Sequence, residues 1–318
     1  MTTSMHSRTT SPAIEVVGLH KRYGSHAAVD GLDLRVEHGE TVAILGPNGA
    51  GKTTTVEILE GFRRPDAGTV RVLGTDPAHA GRQWRDRIGV VLQDSRDQAE
   101  LTVREMVRHF AGYYSAPRDP DAVVEAVGLA AKAGARARSL SGGQRRRLDI
   151  ALGIVGSPEL LFLDEPTTGF DPEARRSFWE LVRSLRGDGT TVVLTTHYLD
   201  EAAALADRVV VVTAGRVAAE GTPTSLGGPE ARRPVVHWTQ DGAARSERTA
   251  RPTALVAELA ASLALDDGEV PGLRIETPTL EDVYLDLVSA GRTASGPSAA
   301  APGRHPDTHD LTTTETAR

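Results

Sequence analysis

Residues 46–54 read Gly46-Pro47-Asn48-Gly49-Ala50-Gly51-Lys52-Thr53-Thr54, a full match to the phosphate-loop spacing of glycine, glycine, lysine and hydroxyl residue. Glycines let the backbone curl so that several N–H groups point inward at a polyphosphate, and a helix N-terminus adds the positive end of its dipole. Lys52 supplies a full charge to the outer phosphates, and the Thr53 hydroxyl is a ligand for magnesium. A glycine-rich turn with a solvated lysine would explain a lone glycine pair, but not this spacing between a strand and a helix. Lysine is otherwise almost avoided in this chain, with Lys21 and Lys132 the only others. The stretch predicts a site for ATP or GTP.

A second stretch fits the same chemistry. Leu160-Leu161-Phe162-Leu163 is an apolar strand that runs straight into Asp164-Glu165. Desolvating two acids is costly unless a cation is there to meet them, and with a phosphate loop upstream the cation is Mg²⁺. Asp164 is expected to hold it, and Glu165 to polarise an attacking water. A pair of solvated turn acids before Pro166 is the plainer alternative. Leu140-Ser141-Gly142-Gly143-Gln144 opens a helix, where Ser141 and the free N–H groups of the first turn make a second anion site. One chain has no use for two such sites, but two chains do if each offers its second site to the other's nucleotide. Arg145-Arg146-Arg147 reads as a solvated helix face in an acidic protein rather than as a nucleic-acid contact.

The elements that must position these residues follow from pattern. Residues 13–19 alternate like an edge strand, and Lys21-Arg22-Tyr23-Gly24 ends in a turn. Strands at 33–36 and 41–45 are expected to pair through a hairpin at His38-Gly39. Further strands fall at 68–74 and 88–92, the latter stopping at Gln93. Residues from about 95 to 156 form an α-helical insertion, followed by the 160–163 strand and a helix over 172–186. A β-branched strand at 190–195 ends at His197, and 208–219 reads as a hairpin turning at Ala214-Gly215. After a linker at 227–234, residues 234–290 suggest strand, helix, strand, helix, enough for a small α+β C-terminal accessory domain. The tails, 1–12 and 291–318, lack the composition for a core. The expected class is α/β, a phosphate-loop NTPase core spanning 13–226 with an antiparallel β-subdomain and an inserted helical subdomain.

The 318 residues carry a net charge of −7, which argues against nonspecific nucleic-acid binding as the main task. There is no cysteine, which excludes a disulfide framework and a thiolate metal site. No apolar run approaches the roughly eighteen residues that span a bilayer. A cytoplasmic location is expected.

The order of phosphate loop, Gln93, Leu140-Ser141-Gly142-Gly143-Gln144, Leu163-Asp164-Glu165, Asp171 and His197 resembles the nucleotide-binding subunit of an ABC transporter over about residues 13–225. The resemblance implies ATP as the nucleotide and a head-to-tail dimer of two copies closing on two ATP molecules. It further implies that Tyr23 stacks on adenine, and that Gln93 touches Mg²⁺ or water and relays closure to a membrane partner. Ser141 and Gly143, flanked by Gly142 and Gln144, are implied to reach the γ-phosphate held by the other copy. Asp171 is implied to couple the two sites, although Gly169-Phe170 departs from the small residue and leucine more often found before it. His197 is implied to contact the γ-phosphate. Gln93-Asp94, residues 100–105 and 278–284 together resemble the drug-export branch, which implies a separate six-helix permease and a place on the cytoplasmic face of the membrane. In that branch the small C-terminal domain supports dimer contact or regulation. The other readings are a soluble ABC ATPase acting on ribosomes or DNA, a sequestering module, an importer subunit, and a subunit moving lipid or polysaccharide.

Overall fold

The computed structural model describes residues 11–91, 100–263 and 268–294. Strands β1 (Ile14–Tyr23) and β2 (His26–Val36) form an antiparallel hairpin. The chain then turns at Gly39 into β3 (Thr41–Leu45), passes the phosphate loop, and enters helix α1 (Lys52–Leu59). Strand β4 (Ala67–Val72) returns to pair with the other side of β1, so the small sheet has the order β2-β1-β4. Two sequence expectations are corrected here. β1 lies at the centre of its sheet and continues through Tyr23, because β4 covers its second edge. His38-Gly39 joins two different sheets and is not a hairpin turn, because β2 is already paired along its length with β1.

After α2 (Arg82–Arg85), strand β5 (Ile88–Val91) leads towards the helical insertion: α3 (Val103–Ala111), α4 (Pro120–Ala126) and α5 (Gly142–Ile154). Capping boxes start two of these helices, Thr102 with Glu105 and Ser141 with Gln144. Strand β6 (Leu160–Asp164), α6 (Pro172–Gly187), β7 (Thr191–Thr195), α7 (Leu199–Leu205), β8 (Arg208–Thr213) and β9 (Arg216–Gly221) complete the main body. Six strands form one sheet in the order β5-β6-β7-β3-β8-β9, all parallel neighbours except the β8–β9 hairpin.

The parallel strands read as unbroken apolar runs because both faces are covered. Ile44, Leu160, Phe162, Val193 and Val210 face the β1–β2–β4 sheet and α1. Ala43, Leu45, Leu161, Leu163, Leu194 and Val211 face the helices on the other side. The alternation puts two cores on one sheet, and the sheet cannot slip by one residue without reversing both.

The C-terminal stretch departs further from expectation. Helix α8 (Gly228–Ala231) occupies the anticipated linker. Strands β10 (Val235–Gln240), β11 (Ala243–Arg248) and β12 (Arg274–Glu276) form a small sheet in the order β11-β10-β12, backed by α9 (Pro252–Leu263). Strand β11 is exposed along its whole length and has no apolar alternation to announce it. Its signal was the Asp241-Gly242 turn, where both residues take the positive φ of a tight hairpin. The last helix, α10 (Leu280–Ala294), runs four residues past the expected boundary at 290. Leu280 and Val283 belong to the main core, so α10 packs against α7, β8 and β9 rather than closing the accessory sheet.

Candidate functional site

Strand order decides the site. β6, β7 and β3 are adjacent and parallel, with Asp164 opposite Thr195 and Thr195 opposite Ile44. Their carboxyl ends therefore deliver Asp164-Glu165, the turn to His197, and the phosphate loop to one edge, the usual ligand crevice of a parallel sheet. An open cavity of about 810 Å³ lies there. Its walls include Tyr23, residues 48–54, Asp164, Glu165 and His197.

The phosphate loop needs its glycines for two separate reasons. Gly51 has φ +99°, and a Cβ there would stand 2.2 Å from the Ala28 carbonyl oxygen. Gly46 packs so closely that a Cβ would stand 2.2 Å from the Val212 carbonyl oxygen. Between them Pro47 and Asn48 lead into Gly49, and Ala50 is buried beneath the turn. The Lys52 ammonium donates to the Gly46 carbonyl at 2.7 Å and the Pro47 carbonyl at 3.1 Å, curling back over the loop. Burial lowers its pKa, and the negative charges of Glu165 and Asp164 pull the other way. Thr53 is exposed to the cavity and Thr54 half-buried, both in the first turn of α1.

Across the cavity the Thr195 hydroxyl donates to the Asp164 carboxylate. Glu165 has φ +46°, a conformation uncommon for a residue with a side chain. Its N–H donates to the Thr195 carbonyl at 3.0 Å, which fixes the turn against β7. His197 Nδ1 lies 3.4 Å from a Glu165 carboxylate oxygen, and the Thr168 hydroxyl is 3.5 Å from the other. Tyr23 stands half-exposed at the end of β1, its ring 5.6 Å from the Arg63 guanidinium.

Ser141, Gly142, Gly143, Gln144 and Asp171 lie apart from this cavity. The Ser141 hydroxyl accepts the Gln144 N–H, and Gly143 packs towards the Gly169 carbonyl. Asp171 caps α6 by accepting the Ala174 N–H at 2.8 Å. These two segments are thus brought together with each other, on an exposed face away from their own chain's phosphate loop. Gln93 and Asp94 lie outside the described residues.

The sequence reading missed three residues. His26 lines the cavity beside Tyr23. Arg146, expected on a solvated face, is buried, and its guanidinium donates to the carbonyls of Pro166 and Asp164. Glu201 is wholly buried on α7. Burial raises its pKa, while the Thr196 and Thr167 hydroxyls favour its ionised form without a hydrogen bond of good geometry to either oxygen. Helical periodicity alone flags Arg146, since it falls on the face that also carries Ile150 and Ile154. Nothing local flags Glu201.

A phosphate loop after a central strand, acids at the end of the strand two places away and an inserted helical unit define an ATP-binding cassette. The chain belongs to the ATP-binding subunits of ABC transporters, enzymes that hydrolyse ATP to power transport. The profile of the ABC transporter family matches residues 29–168. The chain is 42% identical to the daunorubicin/doxorubicin resistance ATP-binding protein DrrA of Streptomyces peucetius, over 86% of this chain and 92% of that one. It is 49% identical to the daunorubicin resistance ATP-binding protein DrrA3 of Streptomyces coeruleorubidus, over 67% and 69%. It is 44% identical to a Nod factor export ATP-binding protein I of Ralstonia nicotianae, over 68% and 69%. Among solved structures, a dimeric bacterial ABC transporter cassette superposes with a TM-score of 0.59 at 27% identity, over 66% of this chain and 98% of that one. A post-hydrolysis dimer bound to ADP and Pi superposes with a TM-score of 0.61 at 25% identity, over 66% and 98%. The expected fold class and the ATPase activity hold.

Proposed function

We propose that this subunit powers export of a hydrophobic compound through a separately encoded membrane permease, from the cytoplasmic face of the membrane. The observation that carries the reading is the half-built cavity. One chain supplies the phosphate loop, the acids and His197, while its own Ser141–Gln144 helix end faces elsewhere. A second copy, turned head to tail, would offer Ser141 and Gly143 to the γ-phosphate, with Asp171 at the seam between the sites. ATP would then close the pair and hydrolysis would release it.

Within each site, Tyr23 stacks on adenine, the loop N–H groups and Lys52 hold the phosphates, Glu165 accepts the proton of the attacking water, and His197 meets the γ-phosphate. Magnesium fits the residues present. Among the described residues no cluster of three acids or imidazoles makes a cage, which suits an ion that keeps its waters and takes most ligands from phosphate. Thr53 and Asp164 would hold it, with Gln93 beside them, and it would neutralise charge developing on the phosphates.

A second feature supports a permease partner. A groove of about 460 Å³, lined by Phe62, Pro77, Trp84 and Val90, opens at the far end of α1. Phe62 is 77% exposed there, an apolar surface of the kind that a partner covers. Eight residues of α1 span about 12 Å, so one short helix joins the phosphate loop to this groove. No helix among the described residues is long and apolar enough to cross a membrane. Similarity to the DrrA proteins and to Nod factor export proteins favours a hydrophobic or amphipathic cargo.

Expressing Glu165→Gln with its native membranes and ATP tests the proposal. Recovery of a six-helix membrane protein with the stalled dimer is expected. Recovery of ribosomes, DNA or no membrane protein would overturn the export reading and leave a soluble ABC ATPase.

A further inference from the structure

Arg146 alone of the Arg145-Arg146-Arg147 run is taken out of water, with 6% of its surface exposed. It sits five residues into α5 from Ser141, a separation of about 7.5 Å along a rigid helix. Its guanidinium crosses from α5 to the turn after β6. There Nε donates to the Pro166 carbonyl at 3.1 Å, and a terminal nitrogen donates to the Asp164 carbonyl. Both acceptors flank Glu165, the residue held at φ +46°. Charge-assisted bonds from a planar fork are strong and directional, so the backbone of Glu165 cannot move independently of α5.

The turn is supported on its other side as well. Thr167 is fully buried, and its hydroxyl faces the Glu201 carboxylate, whose second neighbour is Thr196, the residue before His197. Glu201 and Asp164 are among the acids whose charge acts on Arg146. A buried arginine of α5 thus bonds one short turn directly, while a buried glutamate of α7 faces it from the other side.

We infer that Arg146 is a positioning residue that carries the state of the Ser141–Gln144 helix end to the Glu165 carboxylate of the same chain. The inference rests on the proposed reading in which that helix end meets the other copy's nucleotide. In a head-to-tail pair, Ser141 of one copy touches ATP held by its partner, while Glu165 of the first copy serves the first copy's own ATP. Arg146 then reports the occupancy of one site to the acid of the other. A shift of about 1 Å in a reacting group costs on the order of a hundredfold in rate, so a small movement of α5 suffices.

The test uses the full-length chain, with ATP hydrolysis followed against ATP concentration and ATP affinity measured by direct nucleotide binding. Arg146→Met, which removes both donors at similar length, is expected to lower kcat by about ten- to a hundredfold. Its Hill coefficient should fall from above one towards one, and its ATP Kd should change by less than about threefold, a shift smaller than the tenfold step of 1.4 kcal/mol. Arg146→Lys, which keeps the charge and can reach one carbonyl, should recover part of both losses. If Arg146→Met does not fold, Arg146→Lys is judged by the same criteria. A wild-type chain without cooperativity, or an Arg146 variant that slows turnover while its Hill coefficient is unchanged, overturns the inference. A separate Ser141→Arg change tests the underlying reading. If ATP still dimerises Glu165→Gln chains carrying Ser141→Arg, the cross-dimer reading falls and this inference with it. If only the Arg146 variants behave as wild type, the inference falls alone.

Discussion

His197 Nδ1 stands 3.4 Å from a carboxylate oxygen of Glu165, and the imidazole lies tilted against Tyr198 with ring centres 4.0 Å apart. The two residues come from the ends of neighbouring strands, so the pairing is a product of sheet order. An imidazole at that distance orients the carboxylate that it faces. Glu165→Gln is expected to lower kcat by about 10²–10⁴-fold, the usual worth of a positioned base, with ATP affinity retained. His197→Ala should lower it as well, and the double variant should be less than additive because the pair acts as a unit. Steady-state hydrolysis by the four proteins checks this, and additive losses would separate the two roles.

Gly51→Ala should be far more damaging than a methyl group suggests. The position combines φ +99° with a carbonyl oxygen 2.2 Å from the new Cβ. A loss of more than about 1 kcal/mol in stability is expected, with ATP binding lost because the loop must open to relieve the clash. Thermal unfolding with and without ATP reads both effects. Gly49→Ala, at φ +79° but with open space around it, should be milder.

Glu60, at the end of α1, has its pKa pushed up to about 8 from 4.5, by burial first and then by the charges of Asp164 and Glu57. The folded chain therefore holds a proton on Glu60 where the unfolded chain has released it. Between about 4.5 and 8 the native state binds more protons, so this group's contribution to stability falls as pH rises through that window. Glu60→Gln should flatten the pH dependence of Tm for the nucleotide-free, metal-free protein over that range. An unchanged slope would mean that Glu60 is ionised in the native state.

Phe62→Glu should leave ATP hydrolysis by the isolated subunit near wild type while abolishing its recovery with membranes. Phe62 is exposed, makes no contact with the phosphate loop's cavity, and lines the separate groove at the far end of α1. Placing a charge on an apolar docking surface costs binding rather than folding. Membrane flotation of the variant beside its hydrolysis rate checks the prediction, and equal loss of both would tie Phe62 to the fold instead.

The phosphate loop, the acids after β6 and the capping box at Ser141 were legible because each is local. Their chemistry is written in a few consecutive residues, and backbone geometry within one turn enforces it. The parallel strands were legible for a similar reason, since a strand covered on both faces must be apolar throughout. β11 was not, because its pairing depends on a partner strand and not on its own exposed side chains. What tertiary structure alone decided is the order β6-β7-β3, which sets His197 beside Glu165. It also decided the burial of Glu201, a charged residue whose type predicts solvent, and the distant carbonyls that receive Arg146 on its apolar helix face. A charge goes inside only where fixed partners from distant segments compensate its desolvation, and no local pattern encodes where those segments meet.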